Sequence, residues 1–294
     1  MTPYNPETYG RIPKLAPAAE APEIQTKSRI EIRNKHKRFF MELHLHQYNT
    51  IAKPSDFQLV TSSGICYAHS MRIDFHSHFP SPDSIVCTAE PYTAEPCINA
   101  KSGLMNCIGL LPDRWTEKKQ AQLFSLLTAN RHIHMGEVGL DKRFCDLIPM
   151  QKQADILKSE LEFAIRNDRN ISLHCVRATG LMLEILNDLV RNGLTFRPFS
   201  VIWHGFTGSA ETARQLAGKN IIISIGPRFA GSISDIHRAN PATVPETDYE
   251  GTDAQNHSRI LENQYIRFAK ELDISMQDLE KHCEDVFGKL STGC

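Results

Sequence analysis

Short runs of apolar, β-favouring residues recur along the chain from residue 72 onward, and amphipathic stretches separate most of them. Eight of these runs are predicted strands: Ile73–His78, Ser84–Ala89, Cys107–Leu111, Ile133–Val138, Ile171–His174, Ser200–Trp203, Ile221–Ile225 and Thr243–Glu246. Strands that alternate with helices favour a parallel sheet, and eight such units favour an α/β fold of the TIM-like (β/α)8 barrel type. Only Pro80–Asp83 separates the first two strands, which is too short for a crossover helix. The barrel is therefore predicted to be abbreviated in that sector.

The stretches between the strands space their apolar residues three or four positions apart, which predicts helices. Apolar stripes run through Ala154–Ile165, Met182–Val190 and Leu261–Leu272, and shorter helical segments are Ser209–Gly218 and Ser275–Phe287. Ser209 and Ser275 are placed to cap the first turns of their helices. Gly193, after Asn192, is a typical helix stop.

The first 70 residues follow a different pattern. Residues 1–25 are rich in Pro and Ala without an apolar period and are predicted to be disordered. Thr26–Gln47 can form a helix, and Asp56–Cys66 alternates like a strand. Met71 directly precedes the first barrel strand. We interpret residues 1–70 as a partly disordered N-terminal extension of a barrel domain at 71–290. One hypothesis is that Met71 is the biological start of the protein.

Composition limits the classes of partner. The formal net charge is −1, so no global basic field attracts nucleic acid, and any contact with a polyanion has to be local or carried by a metal ion. The eight cysteines include no Cys-x-x-Cys pair, which is typical of reduced thiols in a cytoplasmic protein. No apolar run approaches the roughly 18 residues of a membrane span, so no membrane partner is expected.

Candidate chemistry begins with His76 and His78. Positions two apart on a strand face the same side, so both imidazoles can bind one cation. The pairs His44/His46 and His132/His134 share this spacing, and most such pairs are surface or core histidines. The first pair differs because further polar motifs end the later predicted strands.

Six side chains follow strands in this way: His76, His78, Glu137, His174, His204 and Asp248. In a barrel, residues at the carboxyl ends of strands converge on one cavity. Four imidazoles and two carboxylates suit Zn²⁺, Mn²⁺ or similar divalent ions better than Ca²⁺, and the predicted cofactors are two divalent ions, Zn²⁺, Mn²⁺ or Mg²⁺. Six ligands exceed the needs of one zinc and fit two ions about 3.5–4 Å apart. Glu137 is the predicted bridge, and Asp248 is predicted to accept a proton from the attacking water. Taken singly, each residue also has an ordinary structural interpretation as a core histidine or a rim carboxylate.

Five motifs occur in order: IDFHSH, GEVGLD, LHC, HGFTGS and PETD. From Met71 to Phe287 the chain thus resembles the TatD family of metal-dependent hydrolases, which are amidohydrolase-like barrels described as deoxyribonucleases or 3′–5′ exonucleases. The resemblance assigns the same six residues to metal-ligand positions. Arg177 matches a basic residue of the family and is expected to contact a phosphate or, equally, to form a salt bridge at the rim. The chain departs from the family at Leu111, where histidine is common, and at His282, where asparagine is usual.

The leading prediction is a two-metal hydrolase of phosphodiester bonds that acts on single-stranded DNA or on 3′ ends. One alternative is a related hydrolase of a small ester, lactone, amide or phosphomonoester. Another is a catalytically weak member that binds nucleic acid or a protein partner, with residues 1–70 as the interaction arm. The presence of all six candidate ligands argues against this last alternative.

Overall fold

The computed structural model describes residues 72–88 and 103–291. Its strands are β1 (Asp74–Ser77), β2 (Ser84–Thr88), β3 (Met105–Ile108), β4 (Ile133–Asp141), β5 (Ile171–Val176), β6 (Val201–Trp203), β7 (Ile222–Ile225) and β8 (Thr243–Pro245). They form one sheet in chain order, and all neighbouring strands pair in parallel. The TIM-like (β/α)8 barrel is confirmed, and every predicted strand overlaps an observed one. The proposed extension, residues 1–70, lies outside the described residues.

Helices follow most of the strands. They are α1 (Glu117–Ala129), α2 (Met150–Arg166), α3 (Thr179–Arg191), α4 (Ala210–Ala217), α5 (Ile233–Ala239), α6 (Ala254–Leu272) and α7 (Met276–Ser291), with 3-10 turns at Pro112–Arg114 and Lys142–Phe144. The segment from His78 to Asp83 contains no helix, so the first unit is abbreviated as predicted. Within 72–88 and 103–291, no helix is long and apolar enough to cross a membrane.

The predicted stripes and caps explain how the helices pack. Buried residues of α2 and α3 include those of the two predicted stripes, except that Ile165 is half-buried and Val190 is 44% exposed. Ser209 Oγ accepts the N–H of Thr212 at the start of α4. Ser275 Oγ likewise accepts the N–H of Asp278 in α7. These caps satisfy N–H groups that would otherwise lack partners in the first turn.

The barrel closes through residues that follow β8. The N–H of Asp248 donates to the carbonyl of His76 over 3.0 Å, and the N–H of His78 donates to the carbonyl of Tyr249, also over 3.0 Å. Asp74 strengthens this seam, because its carboxylate accepts the N–H of Thr247 over 2.9 Å and the Thr247 hydroxyl over 2.6 Å. The closure therefore fixes the carboxyl end of β1 beside the residue that ends the PETD motif.

Glu160 is an acidic residue inside the packing of α2. It is 1% exposed, and its Oε1 has no hydrogen-bond partner among the residues that the structure describes. Burial raises the pKa of Glu160 well above its usual value. The folded state thus keeps the proton, while the unfolded chain loses it as the pH rises above about 4.5. Glu160 therefore lowers the free energy of unfolding progressively as the pH rises from that value toward the folded-state pKa.

We predict that Glu160→Met, which has a side chain of similar length, raises the free energy of unfolding at pH 8 by roughly 1–3 kcal/mol and raises it less at pH 5. Urea unfolding at the two pH values measures the effect. Glu162→Met is the matched control, because Glu162 lies in the same helix and its side chain is 45% exposed. An equal gain at both pH values would contradict the burial of an uncompensated acid.

Candidate active site

The six predicted ligands converge at the carboxyl ends of the barrel strands. His76 lies in β1, Glu137 in β4 and His174 in β5, whereas His78, His204 and Asp248 follow the strands that position them. Five of the six line one cavity of about 670 Å³, and His76 is completely buried beside them. The sequence placed these residues at the ends of separate strands, and the fold brings all six together.

Glu137 occupies the centre of the cluster. Its Oε1 lies 2.5 Å from His174 Nδ1 and 2.5 Å from His204 Nε2. Its Oε2 faces the other side, 3.5 Å from His78 Nε2 and 4.0 Å from His76 Nε2. Each carboxylate oxygen is thus directed at one pair of histidines.

Asp248 completes the side that contains the His-x-His pair. Its Oδ1 lies 3.8 Å from His76 Nε2 and 3.6 Å from His78 Nε2. Its backbone is left-handed, with φ of 49°, a conformation that costs a non-glycine residue energy and is concentrated at functional sites. The candidate ligand atoms form two groups, and within each group they lie no more than 4.8 Å apart. One group comprises His76, Glu137 and His204, and the other comprises His76, His78 and Asp248.

The imidazoles are oriented as metal ligands require. His78 Nδ1 lies 2.9 Å from the carbonyl of Cys87 and can only donate to it, which leaves Nε2 as the acceptor. His76 Nδ1 lies 3.0 Å from Ser172 Oγ. His76 Nε2 is buried and has no hydrogen-bond partner within the described ranges. Buried polar atoms are rarely left unpaired, so a divalent cation fits this donor set.

Imidazoles and carboxylates of opposite charge face one another in the site. Burial opposes the charged form of His78 and His174, but neighbouring carboxylates outweigh it and raise the pKa of each to about 9. Burial would raise the pKa of Glu137 and Asp248, but the surrounding imidazoles outweigh it and hold both below their usual values. A cation that binds these nitrogens therefore replaces protons.

Comparison with known proteins identifies the fold family. The sequence model described as TatD related DNase matches residues 83–291. The chain belongs to the TatD family. Members of this family are metal-dependent hydrolases, so the chain has a hydrolase fold with a His/Glu cluster able to bind metal. The family match begins after His76 and His78, and it is the barrel that brings this pair to the site.

Solved structures share this TatD barrel. The TatD homologue YJJV from Escherichia coli K12 aligns with a TM-score of 0.61 at 21% identity and covers 75% of this chain and 98% of that one. A TatD-family hydrolase from Entamoeba histolytica aligns with a TM-score of 0.58 at 15% identity and covers 72% of this chain and 85% of that one. An uncharacterized amidohydrolase from Saccharomyces cerevisiae aligns with a TM-score of 0.56 at 15% identity and covers 70% of this chain and 88% of that one. No curated protein sequence gives a significant match.

Arg177 and the two departures from the TatD pattern have distinct positions. Arg177 follows β5, lines the cavity with an exposed side chain and has a left-handed φ of 54°. Its guanidinium forms no salt bridge with any residue in the described ranges. Leu111 also lines the cavity. His282 lies elsewhere: its Nε2 donates to the carbonyl of Thr243 over 3.0 Å, at the opposite end of β8 from Asp248.

In the other described histidine pair, His132 is exposed and His134 has a structural role. His134 belongs to the amino end of β4, and its Nδ1 accepts the N–H of Asn170 over 3.1 Å. Burial and nearby arginines lower its pKa to about 4. Cys175 lines the cavity, and burial raises the pKa of its thiol to about 12, which disfavours the thiolate form. The pair His44/His46 lies outside the residues that the structure describes.

Four arginines surround the opening of the TatD cavity: Arg114, Arg143, Arg177 and Arg228. Each comes from a different loop after a strand. Sequence reasoning identified only Arg177, because single arginines in loops are ordinary and only the barrel brings them to one cavity. The arrangement favours an anionic ligand.

Asp141 is a further site residue that sequence reasoning missed. Its Oδ2 lies 3.1 Å from His174 Nε2, while His174 Nδ1 faces Glu137. The guanidinium of Arg143 binds both carboxylate oxygens of Asp141, with Nε 3.0 Å from each. Burial would raise the pKa of Asp141, but His174 and Arg143 outweigh it and lower it strongly. An ionised Asp141 thus keeps a proton on His174 Nε2 and leaves Nδ1 as the ligand atom.

We predict that Asp141→Asn lowers the affinity for divalent cations about 10- to 100-fold, as is usual when a partner that orients a metal-binding histidine is lost. Competition with a zinc-sensitive fluorescent chelator measures the affinity. Asp146→Asn, at an exposed position a few residues further on, should leave it unchanged. An unaltered affinity in Asp141→Asn would mean that Asp141 does not orient His174.

Proposed function

We propose that the chain is a metal-dependent phosphodiesterase that cleaves DNA at single-stranded or 3′ ends, as a deoxyribonuclease or 3′–5′ exonuclease. Two divalent ions, Zn²⁺, Mn²⁺ or Mg²⁺, would be held by His76, His78, Glu137, His174, His204 and Asp248. The observation that carries the proposal is the position of Glu137, with one oxygen toward each histidine pair. A carboxylate so placed suits the sharing of two cations.

The metal ions and the side chains of the protein have different roles in the proposed hydrolysis. Bound divalent ions supply Lewis acidity, which polarises a phosphoryl oxygen and acidifies water. Asp248 is the proposed proton acceptor, because its carboxylate is ionised and its Oδ1 faces the histidines. Arg177 is proposed to bind a phosphate of the substrate, because its exposed side chain lines the cavity and its guanidinium forms no salt bridge with any residue that the structure describes.

The four arginines of the cavity support an anionic substrate despite the net charge of −1. A cavity of about 670 Å³ is of the size that takes one small ligand, which suits the end of a DNA strand better than the middle of a duplex. The same volume supports a second candidate, a small phosphomonoester or other ester. Hydrolysis of such a compound without cleavage of DNA would favour this second candidate.

The cellular setting is part of the proposal. The cysteines in the described part of the chain are free thiols, which supports a cytoplasmic location. Residues 1–70 are proposed as an arm for partner contact. Removal of this arm should then abolish partner binding and leave hydrolysis intact.

Hydrolysis of a 3′-labelled single-stranded oligonucleotide tests the proposed function. The protein is stripped of metal and resupplied separately with Mg²⁺, Mn²⁺ or Zn²⁺, with His204→Ala as the control. We expect metal to restore shortening of the oligonucleotide in the wild type and not in the control. Absence of cleavage with every metal, by protein that has bound metal, would reject DNA as the substrate.

A further inference from the structure

Arg228 stands between two cavities. It lies in the loop that joins β7 to α5 and lines both the active-site cavity and a neighbouring cavity of about 400 Å³. The second cavity is lined by the loops that lead into α4 and α5, with Thr207–Ala210 from one loop and Phe229–Ser232 from the other. Thr207 also lines both cavities, so a ligand that extends out of the active site in this direction lies beside Thr207 and Arg228.

The guanidinium of Arg228 contacts the site directly. Its Nη2 donates to Asp248 Oδ2, while Asp248 Oδ1 faces the histidines. The Arg228 side chain is nevertheless 79% exposed. Arginine carries five N–H donors, and among the residues that the structure describes only Asp248 accepts from Arg228, which leaves the other donors for an anion. The residue can therefore hold Asp248 and bind a phosphate at the same time.

The loop beneath Arg228 is firmly anchored. Phe229 is buried, its carbonyl accepts Arg267 Nη2 over 2.8 Å, and the Arg267 guanidinium lies 5.9 Å from the centre of its ring. The guanidinium of Arg228 thus extends from a fixed backbone. The one acidic side chain that lines the second cavity in the described structure, Asp235, is paired with Arg238 at 2.9 Å, so its charge is largely balanced.

We propose that Arg228 is a substrate-binding residue that takes the phosphate adjacent to the reacting one, so that the substrate spans both cavities. This inference rests on the proposed function and narrows the substrate to nucleic acid strands with at least two consecutive phosphates. Compounds with one phosphate occupy the active-site cavity without engaging the free donors of Arg228. The second cavity receives the next nucleotide unit.

Binding of two probes to the metal-loaded protein tests the inference. The probes are a fluorescent nucleoside monophosphate and a fluorescent single-stranded tetranucleotide with phosphorothioate linkages, and fluorescence anisotropy gives each Kd. We expect Arg228→Gln to weaken tetranucleotide binding about tenfold or more, in line with the loss of a charged hydrogen-bonding group, and monophosphate binding less than about threefold. Arg259→Gln, at an exposed position of α6 outside both cavities, should change neither Kd.

Metal content is measured in all variants, and it should remain at the wild-type level in Arg228→Gln. Wild-type affinity of Arg228→Gln for the tetranucleotide, or equal weakening for both probes, would overturn the inference. So would failure of the wild type to bind the tetranucleotide. Cleavage of the unmodified tetranucleotide is measured separately. If Arg228→Gln selectively weakens tetranucleotide binding but the wild type does not cleave the tetranucleotide, only the proposed function is rejected. If the wild type cleaves the tetranucleotide but Arg228→Gln binds it normally, only the role of Arg228 is rejected.

Discussion

Glu137→Gln is expected to lower hydrolytic activity about 1,000-fold or more, the effect of losing several kcal/mol of metal-borne stabilisation. The two oxygens of Glu137 face different histidine pairs, so this one substitution weakens both halves of the proposed metal site. Glutamine preserves the shape of the side chain and removes its negative charge. Metal content per chain, determined by elemental analysis after gel filtration, should fall together with the activity.

The matched control is Glu250→Gln. Glu250 also lines the cavity, but it lies outside the groups of candidate ligand atoms. The Glu250→Gln variant should retain its metal content and most of its hydrolytic activity. If Glu137→Gln kept a full metal content and activity within a few-fold of the wild type, Glu137 would not be the shared ligand.

Asp248→Asn is expected to lower kcat about 100- to 10,000-fold, the usual contribution of a general base. Asparagine still offers an oxygen to Arg228 and a backbone N–H to the carbonyl of His76, so the seam between β1 and β8 should remain intact. It has no charge with which to accept a proton from water. Steady-state kinetics with the metal-restored enzyme measures the loss.

Thermal unfolding of Asp248→Asn distinguishes a chemical role from a structural one. The variant should unfold cooperatively within a few degrees of the wild type while its turnover is lost. Turnover within a few-fold of the wild type would show that another group accepts the proton. A collapse of stability would instead indicate that the charge of Asp248 chiefly balances His78 and Arg228.

The strands of this barrel were predictable, and two of its helices were not. Each buried strand is a short run rich in apolar residues, and five of the eight carry one of the polar motifs, so their positions are visible without tertiary information. Helix α1 buries only Leu123 and Leu127, and α5 buries only Ile233 and Ile236. Two buried residues do not make a recognisable stripe, and tertiary packing rather than amphipathic pattern positions these helices.

The candidate ligands were predictable because they accompany recognisable strands. Of the residues around them, one could have been predicted from the sequence and three could not. Asp141 was within reach of sequence reasoning, because it lies four residues after Glu137 on one strand and alternation gives both the same face. Arg114, Arg143 and Arg228 were not, because each stands alone in its loop. Only the closed barrel brings these loops to one cavity.

The most direct test of this account is the number and position of bound metal ions. Crystals grown with Zn²⁺ and measured at the zinc absorption edge locate these ions by anomalous scattering. We expect two peaks in the cluster, one against His174, His204 and Glu137 Oε1, and one against His76, His78 and Asp248. A single peak, or peaks only outside these six side chains, would contradict the two-metal site.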